Sequence, residues 1–410
     1  MSALEAVEDE RVSLARAGGR VLAQRVVADR PSPAMDYSAM DGFAVRADDV
    51  AGPGAGGTRS EGRGPRLRVL GELRIGREPP ALPAEPGAAL RIVTGAPIPA
   101  GADAVIMRER TRAVDGGGSA GDGATEIEID AAHAREVCAG MNIRRTGENA
   151  AIGAVLLEPG MEVTAPVAGV LASVGAGEPR VHRRVRVAIL STGDELVDPT
   201  SKVAPTQWQV RDSNAPALGA MLATRAWIEV LPAGRLPDDR AAIVREVGET
   251  LARVDALLLT GGVSMGERDF VPGVLAELGV RTLFHKLRQR PGRPVLAGVD
   301  RRGVPVLALP GNPVSVLVTA RRLALAALRR RAGFAQPDPP PARVLIVNPD
   351  EKSIDLWWHR LASLEPGVEG RARLVDARGS GDVVGAGRSD GFVEMPPGAK
   401  GPGPWAFYAW

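Results

Sequence analysis

Val187-Ala-Ile-Leu-Ser-Thr-Gly-Asp-Glu195, Ala256-Leu-Leu-Leu-Thr-Gly-Gly-Val-Ser264 and Val304-Pro-Val-Leu-Ala-Leu-Pro-Gly-Asn312 share one pattern: a short apolar run enters a turn of glycine and other small residues and leads towards a helix. Short apolar runs entering glycine turns read as strands, and their alternation with helices reads as an open, doubly wound α/β sheet. In such a sheet a ligand lies beyond the carboxyl ends of the strands. The three turns therefore converge on one crevice, where backbone N–H groups and helix N-termini favour an anion. Ser191, Thr192 and Gly193 end the first strand; Thr260, Gly261, Gly262 and Ser264 end the second.

The third turn, Pro310-Gly311-Asn312-Pro313, places Asn at the N-cap and Pro at the first position of a helix that also carries Ser315. Its apolar stripe (Val314, Leu317, Val318, Leu323, Leu325, Leu328) runs to Arg331. A capped structural helix explains this segment alone. Three sets of donors at neighbouring strand ends favour a ligand.

Charged residues gather at the same strand ends. Asp194, Glu195, Asp212, Glu267 and Asp269 follow the first two strands or their loops, and Lys286, Arg288, Arg290 and Arg293 cluster downstream. Acids and bases around one crevice suit a phosphorylated ligand held by cations, with Mg²⁺ shared between carboxylates and phosphate oxygens. Each of these residues, taken singly, reads equally well as a solvated surface charge. Lysine stands only at Lys202, Lys286, Lys352 and Lys400 among 51 basic residues. A compact ammonium kept in so arginine-rich a chain points to a site that needs a point charge.

A chain of 410 residues exceeds one core and divides into two to four domains. Its formal charge of +2 implies no polyanionic partner, and 3% aromatic residues leave few platforms for stacking bases, which argues against nucleic acid. Cys138 is the single cysteine, so no intrachain disulfide forms and a reducing compartment fits; it reads as a small core filler. The N-terminus lacks an apolar signal segment and no run of about 18 apolar residues occurs, so a soluble, cytoplasmic protein without membrane contact is expected. His133, His182, His285 and His359 have no zinc-ligand spacing.

Gly/Pro clusters at 52–65 and 116–123 read as surface loops, and that at 333–341 as a linker. Residues 1–30 show helix-like apolar spacing (Leu4, Val7, Val12, Leu14, Val21, Leu22), whereas 66–110 and 125–163 alternate apolar and polar residues in short β-like runs. From about 183 to 331 strand, glycine turn and helix repeat.

Six ordered motifs then become specific. Pro33-Ala-Met-Asp-Tyr-Ser-Ala-Met-Asp-Gly-Phe-Ala44, Ile92-Val-Thr-Gly-Ala-Pro97, Asn142-Ile-Arg-Arg-Thr-Gly-Glu148, Leu190-Ser-Thr-Gly-Asp-Glu-Leu196, Thr260-Gly-Gly-Val-Ser-Met-Gly266 and Leu309-Pro-Gly-Asn-Pro-Val-Ser315 resemble the molybdopterin molybdenumtransferase (MoeA) family, whose eukaryotic relatives are the gephyrin and Cnx1 E-domains. The resemblance implies insertion of molybdenum from molybdate into adenylylated molybdopterin, with Mg²⁺ assisting and AMP released. It also implies an elongated homodimer whose active site is shared across subunits, and as partners the molybdopterin adenylyltransferase and recipient molybdoenzymes. The implied parts are a discontinuous N-terminal segment (1–35 and 151–180), a β-rich insertion (36–150), an α/β molybdopterin-binding domain (181–332) and a C-terminal β-barrel-like domain (340–410).

Carried over residue by residue, the family's functional positions fall on Asp41, Thr94, Glu195, Asp212, Asp269, Lys286, Pro310 and Pro313, with Ser380 of Gly379-Ser-Gly-Asp382 matching a cleft serine. Glu195, Asp212 and Asp269 are the implied metal carboxylates. Lys286, Arg290 and the 311–315 turn are the implied molybdate cradle. Two positions depart: an acid is replaced by Asn149, beside Glu148, and the second base of the lysine motif is Arg290. Asn149 keeps open a molybdopterin-binding carrier or scaffold that inserts no metal. A generic nucleotide-binding module is the third reading, but the strand ends lack Gly-x-Gly-x-x-Gly and the P-loop pattern.

Overall fold

The computed structural model describes residues 4–51, 64–114, 123–232, 234–263, 269–367 and 369–410. The chain divides into two compact units, one of Met1–Arg25 with Leu157–Trp410 and one of Val26–Leu156.

A seven-stranded sheet is the centre of the first unit. Its strands lie in the order Ile228–Leu231, Val185–Thr192, Ala256–Thr260, Pro305–Leu309, Leu296–Val299 and Arg281–His285, with Arg235–Leu236 also paired to Val185–Thr192. The first four are parallel, and the last two run antiparallel to their inner neighbours. Side chains alternate across the sheet into two cores. Val187, Leu258 and Leu307 enter the core shared with the helices Asn214–Ala223 and Pro313–Thr319. Leu190, Leu257 and Val306 enter the opposite core, shared with Arg240–Leu251 and Val271–Glu277. Burial on both faces explains the unbroken apolar runs, and each fully buried leucine contributes about 2 kcal/mol. The doubly wound α/β expectation is met.

The helix expected from Pro313 to Arg331 forms, with π-helical geometry over Ala320–Ala324. No strand or helix follows until Ala342–Ile346. From there five strands close on themselves: Trp357–Leu364 pairs Arg371–Leu374 and Gly391–Met395, and Ala342–Ile346 and Trp405–Ala409 complete the ring. The barrel shares a core with the preceding helix through Val314, Val318, Leu361, Phe392 and Tyr408.

Residues 1–30 depart from the helical expectation. Among the described residues of this stretch only Leu14–Ala17 is helical, because Gly18 and Gly19 end it, while Asp9–Arg11 is a strand on Arg180–His182. Val21 and Leu22 are buried through isolated bridges to Glu162 and Val181, so their spacing reflects pairing and no helix face. Cys138 is also corrected: it is exposed, and its neighbour Val137 takes the buried position.

The second unit carries a six-stranded sheet in the order Ala104–Met107, Gly42–Val45, Ala88–Ile92, Arg66–Glu72, Glu126–Ile129 and Thr111–Ala113. At Gly42 a Cβ would stand 1.8 Å from the Ile106 carbonyl oxygen, so only glycine lets these strands approach. Most of the two glycine-rich loops expected at 52–65 and 116–123 lies outside the described residues. Among the described residues no helix is long and apolar enough to cross a membrane.

Candidate active site at the carboxyl edge of the sheet

Parallel registers Ser191↔Thr260 and Thr260↔Leu309 bring three strand ends to one edge. A crevice of about 290 Å³ opens there, lined by Thr192 and Gly193, by Thr260, Gly261 and Gly262, and by Pro310 and Gly311. The second turn needs glycine. Gly261 has φ +89°, and a Cβ on it would meet the Thr192 carbonyl oxygen at 2.5 Å. Beneath the turns the Thr260 hydroxyl bonds the Ser191 hydroxyl at 3.2 Å, both residues being buried. Ser191 therefore supports the strand ends from inside, while Thr260 reaches the crevice wall.

Glu195, exposed, and Asp269, half-buried, both line the crevice, together with Asp238, which sequence reading did not single out. Asp212 is not among the lining residues. It is buried, its Oδ1 accepts the backbone N–H groups of Asn214 (3.0 Å) and Ala215 (3.2 Å), and it lines a different cavity with Asp198 and Arg235. Among the described residues no group of three or more His, Cys, Asp or Glu is gathered to hold a metal ion. Mg²⁺ seldom requires such a cage, since it keeps several waters and takes one or two carboxylates with substrate phosphate oxygens. Glu195 and Asp269 fit that mode.

Asn214 is the second residue that sequence reading missed. It lines the crevice, is 7% exposed, and its Nδ2 donates to the Gly311 carbonyl at 2.7 Å. A carbonyl only accepts, which fixes the amide orientation, and the buried Oδ1 is left with no partner among the described residues. The motif Val210-Arg-Asp-Ser-Asn214 held the signal, but the acid drew the attention.

Lys286 follows the strand Arg281–His285, at the same edge as the crevice. Its φ of +67° is a conformation that costs a non-glycine residue about 1–2 kcal/mol, and its N–H is held by the Val295 carbonyl at 2.9 Å. The preceding His285 contacts the carbonyl of Val263, a crevice residue, at 3.3 Å. Arg290 is exposed on a two-residue strand paired with Trp357 and Trp358 of the barrel.

The helix N-terminus at Pro313 differs in detail from the expectation. Asn312 makes no side-chain cap; its Nδ2 donates to the Ser380 hydroxyl at 3.0 Å, and the Val314 N–H donates to the Ser380 carbonyl at 3.0 Å. Ser380 is thus brought to the third turn, and one helix N–H expected to be free is taken. Pro313 occupies the first helical turn, and Ser315 is buried. Ser264 and Glu267 lie outside the described residues.

In the second unit, antiparallel register Gly42↔Ile92 puts Asp41 and Thr94 side by side. The Thr94 N–H and hydroxyl both donate to Asp41 Oδ1, at 2.7 and 2.8 Å. The backbone bond first, then the hydroxyl, holds the Asp41 carboxyl below the usual carboxylate range. In the same unit, Arg144 Nε donates to Glu148 and its Nη2 to Asn149 Oδ1 at 2.9 Å. Asn149 therefore acts as a neutral acceptor on a guanidinium.

Two family descriptions match in tandem: "MoeA N-terminal region (domain I and II)" over residues 1–175 and "Probable molybdopterin binding domain" over residues 188–330. The molybdopterin molybdenumtransferase of Synechococcus elongatus is 40% identical over 316 residues, which cover 76% of this chain and 72% of that protein. The molybdopterin molybdenumtransferase of Bacillus subtilis is 36% identical over 311 residues, covering 76% and 68%. The solved molybdopterin biosynthesis moeA protein from Pyrococcus horikoshii OT3 superposes with a TM-score of 0.78 at 25% identity, covering 100% of this chain and 97% of that one.

Proposed function

The chain belongs to the molybdopterin molybdenumtransferase (MoeA) family, and on that premise we propose that it transfers molybdenum from molybdate to adenylylated molybdopterin, releasing AMP and molybdenum cofactor. It is a transferase of molybdenum cofactor biosynthesis. The observation that carries the finer reading is the crevice at three parallel strand ends, whose glycine turns admit an anionic ligand close to the backbone.

Opening the adenylyl anhydride builds negative charge on phosphoryl oxygens. The N–H groups of Gly262 and Gly311 and the ammonium of Lys286 answer that charge, and with Arg290 they cradle molybdate, while the Gly261 N–H is held by the Leu309 carbonyl at 3.2 Å. Glu195 and Asp269 hold Mg²⁺, which when bound supplies further charge withdrawal at the phosphate. Asp212 acts through the loop it anchors. Asn214 keeps the third turn in place. Asp41 and Thr94 complete the site from the other subunit of a homodimer, in which the chain divides into the four parts expected from the motifs. The reading places the protein in the cytoplasm, between the adenylyltransferase that supplies its substrate and the molybdoenzymes that receive its product.

A single-turnover assay with adenylylated molybdopterin tests the proposal. AMP release that depends on molybdate supports it. Tight ligand binding with no molybdate-dependent AMP would overturn it in favour of a carrier, the reading to which Asn149 lends weight.

A further inference from the structure

The first unit contains a second cavity, of about 600 Å³, formed by the N-terminal arm and the start of the strand Val185–Thr192. Arg11, Arg16 and Arg20 of the arm face Arg183, Arg184 and Arg186 across it, against only Glu10 and Glu229. Part of this charge is compensated internally. Arg183 donates to both oxygens of buried Asp255, at 2.6 and 2.9 Å, and to Glu8; Arg186 joins the same carboxylate at 3.2 Å. Arg20 reaches Glu10 and the His182 carbonyl.

Three guanidiniums remain without a carboxylate. Arg16 and Arg184 are exposed at the rim and have no carboxylate partner among the described residues, and Arg11 contacts only the Glu178 carbonyl at 3.4 Å. These three guanidiniums stand against Glu229, the one lining carboxylate with no arginine partner among the described residues, so the wall presents net positive charge to an incoming anion. Val12 is the one aliphatic side chain of the lining, and no aromatic ring is present to stack a base or a pterin. The cavity recognises charge alone, and its volume suits a small molecule.

We propose that this arginine-lined cavity is a second oxyanion site, distinct from the crevice, that takes a compact anion carrying two or more negative charges, of the phosphate, pyrophosphate or molybdate class. Guanidinium forks match the oxygen spacing of such anions, which makes arginine the fitting residue.

Isothermal titration calorimetry on the full chain at physiological ionic strength tests this. Pyrophosphate, inorganic phosphate and molybdate are titrated separately into the wild type, the Arg16→Gln/Arg184→Gln double variant and Lys286→Gln. Both substituted arginines are exposed, so an unchanged melting temperature verifies the fold. The expected result is saturable binding of at least one probe that persists in Lys286→Gln and weakens at least about tenfold in the double variant. The order of affinity among the probes then identifies the anion. Absence of saturable binding, binding left intact by the double variant, or binding abolished by Lys286→Gln overturns the proposal.

Discussion

Replacing Gly261 by alanine perturbs the crevice at the point where two strands come closest. The new Cβ would lie 2.5 Å from the Thr192 carbonyl oxygen and 2.9 Å from its hydroxyl, separations that force the strand ends apart. Alanine at φ +89° is also strained, by about 1–2 kcal/mol, and overpacking of this kind adds about 1–3 kcal/mol. Gly175 provides the control: its φ is +70° and nothing lies within 4 Å of its would-be Cβ, so alanine there carries the backbone strain alone. The strain is common to both, so at about 2–4 °C per kcal/mol the overpacking alone should place the melting of Gly261→Ala about 2–12 °C below that of Gly175→Ala in scanning calorimetry. Turnover should fall with it, because Thr192 and Gly261 both line the crevice. Equal melting temperatures for the two variants would refute the claim that close backbone approach shapes this site.

Glu195→Ala should abolish molybdate-dependent AMP release while moving stability by no more than about 1 kcal/mol, since the side chain is exposed; a folded variant with the wild-type rate removes Glu195 from the mechanism. If the proposed homodimer shares its site across subunits, mixing Asp41→Ala with Lys286→Ala protein should restore part of the activity, because some heterodimers would then hold one undamaged site, and failure after verified subunit exchange argues for a site within one chain. Asn149→Asp adds a second carboxylate to the Arg144 guanidinium already bound by Glu148 and should weaken apparent molybdate affinity, read by titration at fixed Mg²⁺; tighter molybdate binding with faster turnover would reverse that account of the substitution. The activity that depends on Asp41 should stay level as pH falls to about 5, because its lowered pKa keeps the carboxylate ionised until pH drops below the ordinary aspartate range.

The central sheet was legible because both of its faces are buried. Val187, Ala188, Ile189 and Leu190 point alternately into two cores, and neither face asks for polarity, so the run is apolar throughout. The N-terminal strand offered no such signal. Asp9, Glu10 and Arg11 are all exposed, and they are held by pairing with Arg180–His182 and by ion pairs such as Arg180 with Asp9. An edge fixed by partners about 170 positions away leaves no local period to read. Distance also hid the role of Asn214, whose acceptor on Gly311 is 97 residues further on, whereas the C-terminal barrel was expected from the family resemblance and forms.

Site residues were readable only as far as chemistry travels with local sequence. Glycine turns after apolar strands announce a crevice from sequence alone, because φ near +89° at Gly261 or +64° at Gly262 narrows the choice of residue. Carboxylates announce nothing by themselves: Glu195, shortly after the strand Val185–Thr192, lines the crevice, whereas Asp212, directly after the two-residue strand Val210–Arg211, is buried beneath a helix start. The two kinds of residue accordingly fail in different ways. A crevice carboxylate on an exposed loop can be removed with the fold intact, so its loss isolates chemistry. The glycines join chemistry to architecture, since the backbone approach that admits an anion is also the contact that holds Thr192 against the neighbouring strand end. Stability and turnover should therefore separate at Glu195 and fall together at Gly261, a contrast that follows from geometry and holds whichever oxyanion the crevice accepts.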